Sequence, residues 1–304
     1  MRNGVSVLAA VGFAAAAVFA DPVSVPFPPA LDKLPLVEGS GRTSVDLRKG
    51  VTYHQRHFAN YTGDGPLAVY VLAIDWTKVG DGFTLAVVPG RNGNRSRPSD
   101  LANGTNAIAA VNGVFHKMTD PYLAYYSRKI DGVESPCSNP GGDGCIAFNR
   151  GEMPYIGKFT KEVYGRYDNV LSADGMPRYD ERERRMTPAE RRKRRAPRTM
   201  AANITSNKVT IIVVADGRQS ASTGLTYGED RLFLEAWGAD QLTHMDGGGS
   251  SVMVLKNAVT PGAEPHVRKG ACAIMSVPSD GLPIHSTERR VSESLMLLDG
   301  SGNN

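Results

Sequence analysis

Three polar clusters, each at the end of an apolar run, carry most of the chemistry-bearing residues of this 304-residue chain. They are Asp216-Gly217-Arg218, Asp246-Gly247-Gly248-Gly249-Ser250-Ser251 and Glu288-Arg289-Arg290. Arg198 and Thr199 precede a further apolar run, and Asn112-Gly113 closes another. Singly, each has an ordinary structural explanation, since a carboxylate after a strand commonly caps a turn. Together they describe a pocket of carboxylates, guanidinium groups and bare backbone amides, which suits a ligand with both a phosphate and a polyhydroxylated ring. Asp246, Asp216 and Glu288 are the candidate catalytic carboxylates. Arg198, Thr199, Arg218, Arg289, Asn112 and the run Gly247, Gly248, Gly249, Ser250, Ser251 are the candidate binding groups. A glycine triplet loses conformational freedom on folding, so it signals a backbone that a Cβ would obstruct. The expectation is that N–H groups across Gly247–Ser251 form an anion-binding nest.

Other chemistries find less support in the spacing. Six histidines are scattered, with no H-x-x-x-H and no paired C-x-x-C, so no metal site is read and no cofactor is expected. A hard cation held by oxygens would leave no spacing to read. The serine-hydrolase elbow G-x-S-x-G fails, because Gly248 and Ser250 are followed by Val252.

These residues need a scaffold. Residues 66–76, 83–90 and 208–219 read as strands, dense in β-branched and apolar residues, and 106–116 starts as one and breaks at Asn112-Gly113. Further strands are expected at 251–259 and 289–300. One helix is well marked: Thr226 with Glu229 three residues on is a capping box, and Gly238 is a stop. Leu232, Phe233, Ala236 and Trp237 are expected on its buried face. The order predicts an α+β fold, a single layered domain with a mixed β-sheet, few helices and the site at strand ends.

The first 20 residues resemble a secretory signal peptide, with Arg2, an apolar run and the small Ala20. Export to a periplasmic or extracellular location without stable membrane insertion is expected. Residues 21–50 read as an extended, proline-rich lead-in and 51–304 as the domain. Between Arg178 and Arg198 basic residues outnumber acids by six, against a formal net charge of +4 for the whole chain, so the rest is slightly acidic. This predicts one basic loop or helix. Its lack of interleaved aromatics argues against nucleic acid, and a solvated surface or docking of an anionic polymer through the 182–195 run is expected instead. Of three cysteines, Cys137 and Cys145 flank a turn-rich loop that a disulfide can close, and Cys272 reads as a buried thiol.

The motifs AVNGVF, PRTMAA, VVADGRQ, STGLTYGEDRLFLEAWGAD, HMDGGGSSVMV and ERRVSESL, spread over roughly residues 66–299, resemble the phosphodiester glycosidase family, which implies a basic insertion at about 160–197. The chain departs from the family's usual pattern in Val114 and His116 after Asn112-Gly113, and in Arg290, Ser292 and Glu293 after Glu288-Arg289. The resemblance implies hydrolysis of a sugar-1-phosphodiester at the bond between anomeric carbon and phosphate oxygen, with a phosphate-bearing carbohydrate as substrate. On that reading Asp246 acts at the anomeric centre, with Asp216 and Glu288 as substitutes, and Arg198, Arg218 and Arg289 neutralise the phosphate. A non-catalytic binder of phosphorylated glycans and a metal-dependent phosphodiesterase are the rival readings.

Overall fold

The computed structural model describes residues 25–79, 82–119, 123–176, 185–256, 265–280 and 287–300. The signal-peptide segment lies outside the described residues, as do parts of the basic run. Among the described residues, three sheets make up the fold. The first has six strands in the order Thr43–Arg48, Val51–Phe58, Leu67–Asp75, Val209–Ala215, Arg198–Ile204 and Gln241–His244. A second six-stranded sheet runs Val267–Lys269, Cys272–Ile274, Met253–Lys256, Ala107–Asn112, Glu293–Asp299 and Phe83–Pro89. A five-stranded sheet runs Val133–Ser135, Arg128–Ile130, Asn169–Ala173, Gly144–Phe148 and Tyr155–Lys158.

The α+β class holds, but the paired strands are antiparallel throughout rather than mixed. The helices are short and lie on the outer faces of the sheets, so few of the connections between strands are crossover helices of the kind that parallel pairing requires. One core lies where all three sheets meet, with Tyr53, Tyr70, Leu72, Val111, Leu295, Ile146, Phe148 and Leu171 in contact. Each sheet then buries its other face under a helix. Phe233 and Leu234 of Tyr227–Glu235 cover the first, Leu101 and Ala102 of Pro98–Asn103 the second, and Val163 and Tyr164 of Lys161–Arg166 the five-stranded sheet. This double burial explains the unbroken apolar runs. In Leu67–Asp75, Ala68, Tyr70, Leu72 and Ile74 enter the shared core while Leu67, Val69, Val71 and Ala73 face the helix side.

The topology brings distant segments to one end of the molecule. Register places the start of Arg198–Ile204 beside the end of Val209–Ala215, with Arg198 opposite Ala215, and Met200 opposite His244. In the second sheet, Asn112 pairs with Ser294, and Val111 with Met253. The chain therefore leaves the first sheet after His244 and enters the second at Met253. Residues 245–252 form the crossover between the two sheets.

Several expectations need correction. Within the lead-in, Val25, Phe27 and Leu31 are buried, and Thr43–Arg48 is an edge strand paired with Val51–Phe58. The stretch 160–197 is not solvated surface throughout. Asn169–Ala173 is the fully buried central strand of the five-stranded sheet. Further on, Arg195 is buried against Glu229 and Asp64, and Arg191 also binds Asp64. Buried charges survive in a core only when paired in this way. Arg192, Lys193 and Arg194 remain outward-facing on the Pro188–Arg194 helix.

The Thr226–Glu229 capping box forms, but Leu232 and Ala236 face outward. The inner face is Glu229, Asp230, Phe233, Leu234 and Trp237, because the two acids serve buried cations. Cys137, Cys145 and Cys272 are all free thiols. Cys145 points into the apolar layer with Ala147 and Val170, which keeps it from Cys137. Among the described residues no helix is long and apolar enough to cross a membrane.

Candidate active site

Asp246 opens the crossover between the sheets, and two backbone hydrogen bonds fix the start of that segment. Met245 N–H donates to Thr199 O at 2.8 Å and Asp246 N–H to Gly113 O at 3.2 Å. The Asn112 side chain locks the same point. Its amide donates to Asp246 O at 2.7 Å, while its oxygen accepts from the Thr199 hydroxyl at 2.8 Å and from Val252 N–H at 3.3 Å. Asn112 and Thr199 are fully enclosed, so they act as a clasp joining the two sheets beneath the site rather than as ligand-facing groups.

The Asp246 side chain is 15% exposed, and its carboxylate lies 3.7 Å from His116 Nδ1. The Ser250 hydroxyl hydrogen-bonds it. Burial pushes the carboxyl above its ordinary range, while Ser250, His116, Arg289 and the Gly247 N–H pull it back. The His116 ring is buried, and neither nitrogen has a hydrogen-bond partner.

The glycines admit side chains. Gly248 adopts φ +60°, and a Cβ there would lie 3.2 Å from the Arg218 guanidinium. At Gly249 a Cβ would overlap the Asp280 carboxylate and the Arg289 guanidinium. Arg289 is held by Asp280 through Nε at 2.7 Å and a second nitrogen at 2.8 Å, and reaches Ser250 Oγ at 3.4 Å. This bidentate pair fixes the fork of the guanidinium. Arg218 is exposed and has φ +61°, a left-handed conformation uncommon for a residue with a side chain. Arg218 and Arg289 therefore both lie against the Gly248–Gly249 backbone.

The expected amide nest is largely consumed by the fold. Gly248 N–H donates to Pro197 O at 2.8 Å, Ser250 N–H to Gly247 O at 3.2 Å and Ser251 N–H to Gly248 O at 3.3 Å, closing a turn of 3-10 helix. The anion-attracting groups at the loop are guanidinium side chains more than backbone amides.

Two candidate carboxylates turn away. Asp216 is buried beneath the loop, accepting from Tyr70 Oη at 2.9 Å and from Val277 N–H at 2.9 and 3.0 Å. Desolvation raises its carboxyl to about 8. Glu288 accepts from Ser99 N–H at 2.6 Å and Ser99 Oγ at 2.5 Å, so it caps the Pro98–Asn103 helix and faces Lys269 at 3.4 Å. Arg198 is also committed. Its Nε donates to Leu225 O at 3.0 Å, its guanidinium lies 3.9 Å over the Tyr227 ring, and Asp230 is 3.6 Å away.

The residues missed by spacing are His116, Asp280 and Tyr227. His116 carried a signal, four residues beyond Asn112 in the same loop, whereas Asp280 had none. Glu293, an acid in an unusual place, is fully buried and receives Val114 N–H at 3.0 Å together with Arg128 and the Ser292 hydroxyl. Arg128 thus compensates its charge. Among the described residues no three His, Cys, Asp or Glu side chains group to hold a metal ion.

One partly exposed carboxylate, a histidine and two guanidinium groups gathered at this loop can stabilise positive charge on a sugar ring beside a departing phosphate. Comparison with known proteins gives the same class. The fold is similar to the catalytic domain of zebrafish N-acetylglucosamine-1-phosphodiester alpha-N-acetylglucosaminidase, there auto-inhibited by its pro-peptide. That match has 15% identity over 87% of this chain and 86% of that one, with a TM-score of 0.59. A protein from Burkholderia pseudomallei K96243 is similar at 15% identity over 88% and 98% of the two chains, with a TM-score of 0.57. No curated protein matches the sequence. The family model for phosphodiester glycosidases matches residues 105–297, which include Asn112, His116, Asp216, Arg218, Asp246 and Arg289. The chain belongs to the phosphodiester glycosidase family and is a hydrolase of that class.

Proposed function

We propose that this chain is an exported hydrolase that cleaves the anomeric C–O bond of a sugar-1-phosphodiester within a phosphate-bearing glycan or wall or capsule polymer. Support for export is the charged, apolar and small-residue pattern of residues 1–20. The observation that carries the catalytic reading is the Asp246 carboxylate, partly exposed, with His116 on one side and the Ser250–Arg289 pair on the other.

The phosphate monoester released is a weak base, so it needs charge neutralisation more than a proton. Arg218 and Arg289 supply that. As the C–O bond lengthens, positive charge grows on the ring and the Asp246 carboxylate stabilises or traps it. Water then supplies the oxygen of the new anomeric hydroxyl and releases one proton. His116 positions the Asp246 carboxylate, and Ser250 links it to Arg289. In this reading Asp216, Glu288, Asn112 and Thr199 hold the frame.

Replacement of Asp246 by Asn tests the assignment. Release of free sugar from a methyl phosphodiester of glucose-1-phosphate should fall on the order of 10³-fold or more in a folded Asp246→Asn variant. Release at the wild-type rate removes Asp246 from the chemistry. Tight binding of the diester by wild type with no release favours the non-catalytic reading.

A further inference from the structure

A cavity of about 420 Å³ is lined by Asp143, Asp174, Gly175, Met176, Tyr227 and His244. It lies at the seam where Gly175 bridges Thr243, between the five-stranded sheet and the first sheet. Asp143 and Asp174 extend the Gly144–Ala173 register pair of neighbouring strands, so their side chains leave adjacent strand ends. His244 is buried, with Nδ1 3.3 Å from Asp230, and its Nε2 has no hydrogen-bond partner. Burial lowers His244 to about 3, so the ring is neutral.

Contacts from two of the lining residues run toward the Asp246 loop and the His116 loop. On one side the Tyr227 ring packs against His244 and under the Arg198 guanidinium, which in turn lies against Gly247. On the other, Asp174 accepts from the Tyr126 hydroxyl, and Tyr126 packs edge-on against Phe115, the neighbour of His116. Side-chain contacts therefore connect a basic pole at Arg218 and Arg289 on the glycine loop with an acidic, aromatic pole at Asp143, Asp174 and Tyr227 in the cavity. The acidic pole has room for a sugar ring and an aromatic wall to hold one.

We propose that the Asp143–Asp174–Tyr227–His244 cavity is the subsite for the sugar ring and selects a ring bearing an amino group over a neutral one, and a neutral one over a uronate. This rests on the sugar-phosphodiester reading of the Asp246 loop. Hydroxyl and ammonium hydrogens meet the two carboxylates, and the Tyr227 and His244 rings line the apolar side. A uronate carboxylate would meet two negative charges.

The test is direct binding of monosaccharides, which requires no turnover. Methyl α-glucosaminide, methyl α-glucoside and methyl α-glucuronide are titrated separately by ligand-observed NMR, at a pH where the amine is charged. Wild type should bind the amino sugar about threefold to tenfold more tightly than the neutral one, the size expected of partly exposed charge pairs. The glucuronide should bind weakest. Asp143→Asn and Asp174→Asn should each narrow the spread, and the double variant should abolish it while melting like wild type. Equal binding of the three sugars, absence of binding, or an unchanged ranking in the double variant overturns the proposal. A protein that ranks the sugars but releases none from a phosphodiester overturns the hydrolytic reading instead.

Discussion

His116 Nδ1 and the Asp246 carboxylate face each other at 3.7 Å, the imidazole fully enclosed and the carboxylate partly exposed. Their elements belong to different sheets, and Asn112 and Thr199 hold those sheets in register beneath them. This pair sets the pH response. Asp246 must be ionised to meet positive charge, and burial raises its carboxyl, so kcat/KM should rise with pH through a value above the ordinary carboxylate range. His116 is one of the groups pulling that value down. His116→Ala should therefore move the acid limb to higher pH and, through a misplaced carboxylate, reduce kcat/KM roughly 100-fold. A pH–rate profile of the variant checks both, and a limb left in place would mean that the ring does not act on Asp246.

Arg218 and Arg289 have a signature separable from general damage. Each loss, Arg218→Ala or Arg289→Ala, should lower kcat on a phosphodiester about 10²–10³-fold, as for removal of one donor at a developing anion. Arg218→Ala should leave residual hydrolysis of a nitrophenyl glycoside, which has no phosphate, nearly unchanged, and Arg289→Ala should do so above its acid limb, which moves to higher pH because Arg289 also lowers Asp246. Asp280→Asn should fall between wild type and Arg289→Ala, because it loosens the guanidinium without removing it. Equal losses on both substrates would assign the arginines to folding.

Asp216 predicts a dependence of stability on pH. Its carboxyl is raised by burial from 3.8 to about 8 in the folded chain. A group raised in this way contributes fully below the unfolded value and loses that contribution as pH climbs through the folded one. Wild-type Tm should thus decline between about pH 4 and pH 8 relative to Asp216→Asn, whose side chain does not ionise, by roughly 2–4 °C per kcal/mol. Parallel Tm curves for the two proteins would show that the buried carboxylate keeps its charge.

Much of the scaffold was legible because its signals are local. The double-sided burial of Leu67–Asp75 and Val209–Ala215 appears as unbroken apolar runs, and Thr226 with Glu229 announces the helix start. The clustering of Arg218, Gly248, Gly249 and Arg289 also followed from where strands end. Charge burial was not legible. Arg195 looks like part of a solvated basic run, yet Glu229 and Asp64, far away in sequence, hold it in the interior. Glu288 looks like a site acid beside Arg289, but it serves Ser99, at the start of a helix 189 positions earlier. Leu232 faces outward for the same reason: Glu229 and Asp230 take the inner face to pair with arginines. Periodicity treats charge as a solvent marker, and partners chosen by tertiary packing override it.

The bond that breaks is the most direct test of the account. Hydrolysis of a sugar-1-phosphodiester in oxygen-18 water, with mass analysis of both products, reads it in one measurement. Attack at the anomeric carbon beside Asp246 predicts the label in the sugar hydroxyl and unlabelled phosphate monoester. Label in the phosphate would mean P–O cleavage and would contradict the role given to Asp246.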